Sequence, residues 1–499
     1  MLGKAVRARS GILMLKRLSI LLTACLLTAV AGAEPRWDLP DIGSPADTVF
    51  TRSQAEAIGR TVLRQLREQG VVLEDPEIAE YITDLGRRIA PHAHDGEHTF
   101  SFFVVNEDEI NAFALPGGYI GINTGLITAT RSESELAGVL AHEIAHVSQN
   151  HIARRIQGTG KTGILATAAI LAAILLGAGG DVIPAAIASA QGLAMQEQIN
   201  YTRANEYEAD RVGLEYLARA GFDPMGMPSF FEVLSRQAAL PGSRLPEFLQ
   251  THPLSTTRMA ETRDRAERTQ VAEVRESRSY ALMKARVRVL NARSSDEALA
   301  RFEARLAASK EKATADLYGY GLALLRAGRY PAAVEVLQPL LVTDENVVVF
   351  HTALGEALIL AGREAEGLAV FERAAALFPR NRPLVVRHAE ALLRTRNFER
   401  AHAVLLDLFN VVRPTPAQVR LIANAADAAG LPAEALFYLS EYHLLNGDLP
   451  MALDKLRLAL LQPGLQPWQR ARFEARMAEL EPFLAGRGAR RADTEKKEQ

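Results

Sequence analysis

Four turns in the second half of the chain recur at one fixed step. Gly328 in LLRAGRYPAAVEVL, Gly362 in LILAGREAEGLAVF, Arg396 in LLRTRNFERAHAVL and Gly430 in ADAAGLPAEALFYL lie 34 residues apart. The small residues Ala333, Gly367, Ala401 and Ala435 keep the same step. Apolar positions at helical spacing flank every turn, so each unit reads as two antiparallel helices. One such hairpin cannot bury its own apolar face. Neighbours must stack, and the small residue lets paired helices approach closely, which commits this region to an all-α solenoid. A further turn at Gly447, in LLNGDLPMALDKL, falls half a period later and continues the stack. The terminal RGARRADTEKKEQ is charged and is expected to form a disordered tail.

The 34-residue step is that of tetratricopeptide arrays. The array leaves more than half of the 499 residues for something else, so two or three domains are expected. A hydrophobic content of 48% with 23% charged residues describes a globular protein, and a net charge of −2 gives no general attraction to nucleic acid. At the N-terminus, Lys16 and Arg17 precede the uncharged run LSILLTACLLTAVAGA, which ends in Ala31-Gly32-Ala33. That is the pattern of a secretory signal peptide cleaved near Ala33. Lipidation at Cys25, in LTAC, is the lesser alternative, because LLTAV would make an odd mature terminus. Cys25 is the only cysteine, so the cleaved chain has neither a disulfide nor a thiolate, and any metal must be held by histidine and carboxylate. The expected organisation is a signal peptide over 1–33, a first globular domain over 34–278, the repeat domain over 279–484 and the tail over 485–499.

Within 34–278 the spacing predicts helices over 51–92, β-structure in FSFFVV, and two short strands around Pro116-Gly117-Gly118. Helical periodicity resumes at Ser132 and runs through His151. The apolar KTGILATAAILAAILLGAGG is somewhat short for a bilayer span, which needs about 20 apolar residues. It reads as a core helix, with peripheral membrane contact through 161–190 as the alternative. A second long helix carries RANEYEADRVG. A loop with THPLS follows, then a charged helix to about 278.

The chemistry lies in LAGVLAHEIAHVSQNH. On a helix His142 and His146 share a face one turn apart, and both imidazoles can reach one ion at about 2.0–2.1 Å. Glu143 is poorly placed as a ligand but can take a proton from a water at the metal. A site of the two-histidine, one-carboxylate type needs a further carboxylate. Glu206 and Asp210, four apart on one helix face, supply it: Glu206 as third ligand, Asp210 as acceptor for the free ring N–H of a ligand histidine. Glu208 is offset from that face. His151, five residues past His146, is read as an ordinary polar residue pointing elsewhere.

AHEIAHVSQNH with NEYEAD resembles the HtpX and CAAX-prenyl-protease family of zinc peptidases. NEDEINAFALPGG, THPLS followed by Arg258, the signal peptide and the repeat array extend the likeness over nearly the whole chain. The resemblance implies one zinc ion per chain held by His142, His146 and Glu206, with Glu143 catalytic. The implied fold is a mainly α protein: an α+β zincin-like domain with a small sheet, then the all-α solenoid. It further implies a periplasmic location and action on unfolded or misassembled outer-membrane proteins, by proteolysis and a chaperone-like role. The repeats would then dock the β-barrel assembly machinery. Two segments gain meaning beside it. INAFALPGGYI can offer an edge strand to a substrate peptide. His252, in THPLS, can either stabilise the oxyanion or take the fourth zinc position and latch the site. The competing reading is a chaperone or assembly scaffold whose zinc is mainly structural or permanently latched. On the two-domain picture, a chain ending near residue 280 is expected to keep the metal site.

Overall fold

The computed structural model describes residues 51–93, 99–156, 203–240, 245–271, 273–308 and 310–498. The expected signal segment and the stretch 161–190 lie outside these residues. Among the described residues no helix is long and apolar enough to cross a membrane.

The first half is α+β. Helix α1 (Arg52–Glu68) opens on a reciprocal Thr51–Gln54 cap, and α2 (Pro76–Ile89) on Asp75, whose side chain accepts the Ile78 N–H. Strands β1 (Ser101–Val105), β2 (Ala112–Leu115) and β3 (Tyr119–Asn123) form a sheet of order β1-β3-β2. β3 runs parallel to β1 and antiparallel to β2. The β2–β3 turn needs Gly117 and Gly118 at φ 79° and 81°. The order leaves β2 at an edge, against the central helix.

That helix follows the short α3 (Thr124–Ala129). It is α4 (Glu133–Ser148), capped by the Ser132 side chain, and all 16 of its residues are buried. A helix this enclosed can carry polar side chains only where partners meet them. The helix stops at Asn150, which takes the left-handed conformation (φ 52°), and α5 (His151–Ile156) leaves in a new direction. Helix α6 (Arg203–Arg219) packs along α4. Gly213 makes the approach possible: a Cβ there would lie 3.0 Å from the Ala141 carbonyl oxygen and 3.1 Å from the His142 Cα. Helix α7 (Gly226–Ala238) covers another side of α4. A loop carrying the short α8 (Glu247–Thr251) then leads to α9 (Thr256–Arg268). The sequence predicts that this last helix reaches about 278. Instead the backbone turns extended at Thr269. The linker is pinned onto the domain, with Arg275 N–H on Gly221 O (2.9 Å) and the Glu276 carboxylate on Ser134 N–H (2.9 Å). Tertiary partners override helical propensity here.

From Ser279 the chain is a tetratricopeptide solenoid. The hairpins are α10 (Ser279–Leu290) with α11 (Ser295–Ala308), α12 (Thr314–Arg326) with α13 (Tyr330–Thr343), and α14 (Val348–Leu360) with α15 (Glu364–Leu377). They continue with α16 (Arg382–Arg394) and α17 (Phe398–Phe409), α18 (Pro416–Ala428) and α19 (Pro432–Leu445), then α20 (Leu449–Leu460) and α21 (Pro467–Glu498). Starts at 314, 348, 382 and 416 repeat the step read in the sequence. Gly328, Gly362, Arg396 and Gly430 all occupy the left-handed turn position, with φ between 58° and 81°. Ala333, Ala401 and Ala435 are buried between paired helices. Helix α21 runs through the charged stretch expected to be disordered. Its Ala, Arg, Lys and Glu are strong helix formers, and nothing in RGARRADTEKKE after Gly488 breaks a helix.

Candidate metal centre

Helices α4 and α6 and the loop after α8 bring four donors to one point. The ligating atoms of His142, His146, Glu206 and His252 all lie within 4.8 Å of one another, and all four residues are buried. His142 Nε2 is 3.0 Å from His146 Nε2 and 3.3 Å from His252 Nδ1. Glu206 Oε1 lies 3.3 Å from His146 Nε2 and 3.1 Å from His252 Nδ1, and its Oε2 lies 3.5 Å from His142 Nε2. A tetrahedral ion with bonds of about 2.0–2.1 Å keeps its donors roughly 3.3 Å apart. The observed separations bracket that value, so the residues fit a small divalent metal with nitrogen and oxygen ligands.

The surrounding groups fix each donor. His142 Nδ1 lies 3.0 Å from Asp210 Oδ1, which sets the proton on Nδ1 and turns the Nε2 lone pair to the centre. Burial pulls His142 down, but Asp210 and Glu206 outweigh it and push its pKa up to about 9. Burial works the other way on Glu206, yet His252 and Arg258 hold its carboxyl well below the usual range. His146 is held well below an ordinary imidazole by burial and by the charge on His142.

Glu143 is fully buried beside this point, and burial pushes its carboxyl up. Its Oε1 lies 3.5 Å from His252 Nε2. His252 therefore faces the metal point with one nitrogen and Glu143 with the other. Phe248 stacks on the His252 ring (4.6 Å between centroids), and its N–H bonds the Ile110 carbonyl (3.1 Å), just before the edge strand β2.

Three residues here escaped the sequence reading. Arg258, quoted there without a role, is a buried hub. It donates to Asp210 through Nε (2.5 Å) and Nη2 (2.8 Å), pairs with Glu206 Oε2 (2.6 Å) and holds the Pro253 carbonyl (3.1 Å). His151 does not point elsewhere: its Nδ1 lies 2.7 Å from His146 Nδ1. Glu208, set aside as off the face, meets His151 Nε2 at 3.1 Å. The one signal for His151 was Asn150, a residue that tolerates the left-handed turn and can end a helix.

The pattern of peptidase family M48 matches residues 76–266, which contain all of these groups. A β-barrel assembly-enhancing protease of Yersinia pestis is 33% identical over 476 residues, covering 93% of this chain and 97% of that protein. Its counterpart in Escherichia coli (strain K12) is 32% identical over 455 residues, 91% of this chain and 93% of that one. The mitochondrial metalloendopeptidase OMA1 of Arabidopsis thaliana is 33% identical over 214 residues, 42% of this chain and 41% of that protein.

Proposed function

The chain belongs to peptidase family M48 and is a metalloendopeptidase; we propose that its metal is zinc, one per chain, and that it cleaves unfolded or misassembled outer-membrane β-barrel proteins in the periplasm. The substrate class follows from its likeness to the β-barrel assembly-enhancing proteases, and the repeats are the natural docking surface for the β-barrel assembly machinery. His142, His146 and Glu206 are the zinc ligands and Asp210 orients His142. Zinc at that point supplies Lewis acidity, polarising a peptide carbonyl and acidifying a water. Glu143 takes the proton of the attacking water and passes it to the leaving amine. Its burial raises its proton affinity toward what that task needs.

The observation that carries this reading is the convergence of four buried donors, with contacts of 3.0–3.5 Å, and Glu143 beside them. His252 closes the set. We assign it the latch rather than the oxyanion role, because its Nδ1 stands where an open site would admit water. The centre is also buried, so a polypeptide reaches it only once part of its cover has moved, and the loop that carries His252 is our candidate. The edge strand β2 is the surface along which an entering peptide would pair. A closed set of four protein ligands also favours a second reading, a chaperone or scaffold with structural zinc.

Glu143→Gln and His146→Ala decide between the two. Glu143→Gln is expected to keep about one zinc per chain while casein or misfolded outer-membrane protein digestion is lost. His146→Ala is expected to lose metal and activity together. Undiminished chelator-sensitive proteolysis by Glu143→Gln sinks the mechanism, and absence of any proteolysis in the parent favours the scaffold.

A further inference from the structure

The two histidines of the α4 motif are supported in different ways. Behind His142 stands a buried carboxylate, Asp210, in direct contact. Behind His146 stands another imidazole. The left-handed Asn150 reverses the chain after α4 and lays His151 back over the ring of His146, with centroids 4.8 Å apart and Nδ1 to Nδ1 at 2.7 Å. His151 is fully buried. Its Nε2 meets Glu208 Oε2 at 3.1 Å, and Arg154 Nη2 donates to the same oxygen at 2.9 Å. Glu208 and Arg154 reach solvent, their side chains 33% and 45% exposed.

Proton placement along this chain follows from one fact. His146 turns Nε2 to the metal point, so a neutral His146 carries its proton on Nδ1. His151 Nδ1, at 2.7 Å, is placed to accept that proton. His151 must then be the Nε2–H tautomer, whose proton goes to the Glu208 carboxylate. Both links run in the same sense, from metal ligand toward the surface, and end on a carboxylate oxygen that also accepts from Arg154.

We propose that His151 and Glu208, with Arg154 holding Glu208, are positioning residues for the zinc ligand His146. They form an imidazole-bridged counterpart of the direct Asp210 support behind His142. Their work is to fix the tautomer and ring orientation of His146 and to raise its basicity toward the metal. Arg154 and Glu208 also join the two elements that flank residues 157–202, so the support of one ligand is anchored on both α5 and α6.

The inference rests on the zinc reading above, and the test separates the two. Zinc affinity is measured by competition with a chromophoric chelator on the full chain, with the visible spectrum of the cobalt(II)-substituted protein as a second readout. His151→Leu is expected to weaken zinc 10–100-fold, the range for lost support of a ligand, and to alter the cobalt bands. His151→Gln can still accept from His146 and donate to Glu208, and is expected to restore most of the affinity. Glu208→Ala, at a partly exposed residue, is expected to weaken zinc severalfold, with the metal-free melting temperature measured on the same variant to separate lost support from lost stability. A parent that binds no zinc overturns the metal reading itself. A parent that binds zinc, with parental affinity and spectrum in Glu208→Ala and in His151→Leu, overturns the relay alone. If His151→Leu does not fold, parental affinity in Glu208→Ala is sufficient to overturn it.

Discussion

At the scale of single residues, the centre divides into what spacing can announce and what only a fold can assemble. His142, Glu143 and His146 are legible because four residues is one helical turn, and Glu206 and Asp210 because they repeat that step. His151 was not legible, because a continuous helix would carry it well off the face of His146. One left-handed residue, Asn150, cancels that rotation. Arg258 lies 48 positions from Asp210, and no periodicity links them. His252 is where the reading makes its sharpest claim. Its Nδ1 sits 3.1–3.3 Å from Glu206 and His142, so removing the ring opens one position in the set without removing the other three donors. His252→Ala is therefore expected to raise basal cleavage of bystander proteins while zinc stays near one per chain. An oxyanion role predicts the opposite, a fall in kcat of roughly 10²–10³-fold. Initial rates on a fluorogenic peptide with metal analysis on the same samples distinguish them, and an unchanged rate removes both roles.

At the scale of elements, the site is a consequence of how closely α4 and α6 run. The repeating hairpins and the motif helix were readable because their apolar periods are long. The approach of two helices is not periodic and was invisible. Gly213 sets it. With a Cβ pressing within 3.0 Å of the Ala141 carbonyl and 3.1 Å of the His142 Cα, both backbone atoms of α4, no flexible neighbour can yield. A bulkier side chain must push α6 outward and carry Glu206 and Asp210 with it, since both lie within two turns of Gly213 on the same helix. Gly213→Val is expected to destabilise the fold by about 1–3 kcal/mol, the ordinary cost of overpacking, and to lower zinc affinity in the same variant. Thermal unfolding and chelator competition read these separately. A destabilised protein with parental zinc affinity means that the spacing of the two helices does not set the site. The same lesson explains α8. Five residues carry too little pattern to be read as an element, yet they place Phe248 on Ile110 and His252 over the centre.

At the scale of the whole molecule, the sequence suggests two domains joined near 279, and the energetics do not respect that joint. One apolar core runs without a break from Ile78 and the α4 residues through α10, α12 and α14 to Val370. Beside it a charged cluster crosses the same boundary. Asp75 and Glu77, at the start of α2, are buried and meet Arg286 of α10 and Arg387 of α16. Tyr318 and Thr352 complete the hydrogen bonding. A chain cut near 280 loses both arginines and exposes the core, leaving two carboxylates without their cations. Removing one partner of a buried pair costs about 3–5 kcal/mol. The earlier expectation that such a fragment keeps its metal site is therefore reversed: it should fail to give a cooperative unfolding transition. The pH dependence tests the cluster in the intact chain. Burial raises the Asp75 pKa, but Arg286 and then Arg387 overcome it and lower it to about 2. A carboxyl depressed in the folded state stabilises fully above its unfolded value of about 3.9, and that stability is lost as pH falls toward 2. The shift corresponds to roughly 2 kcal/mol. Urea unfolding of the parent and of Asp75→Asn, measured from pH 5 down to pH 2, is expected to show the variant less stable at pH 5. The gap should narrow by about that amount as the acid end is approached. A gap that stays constant with pH would mean that Asp75 is not held ionised by the two arginines.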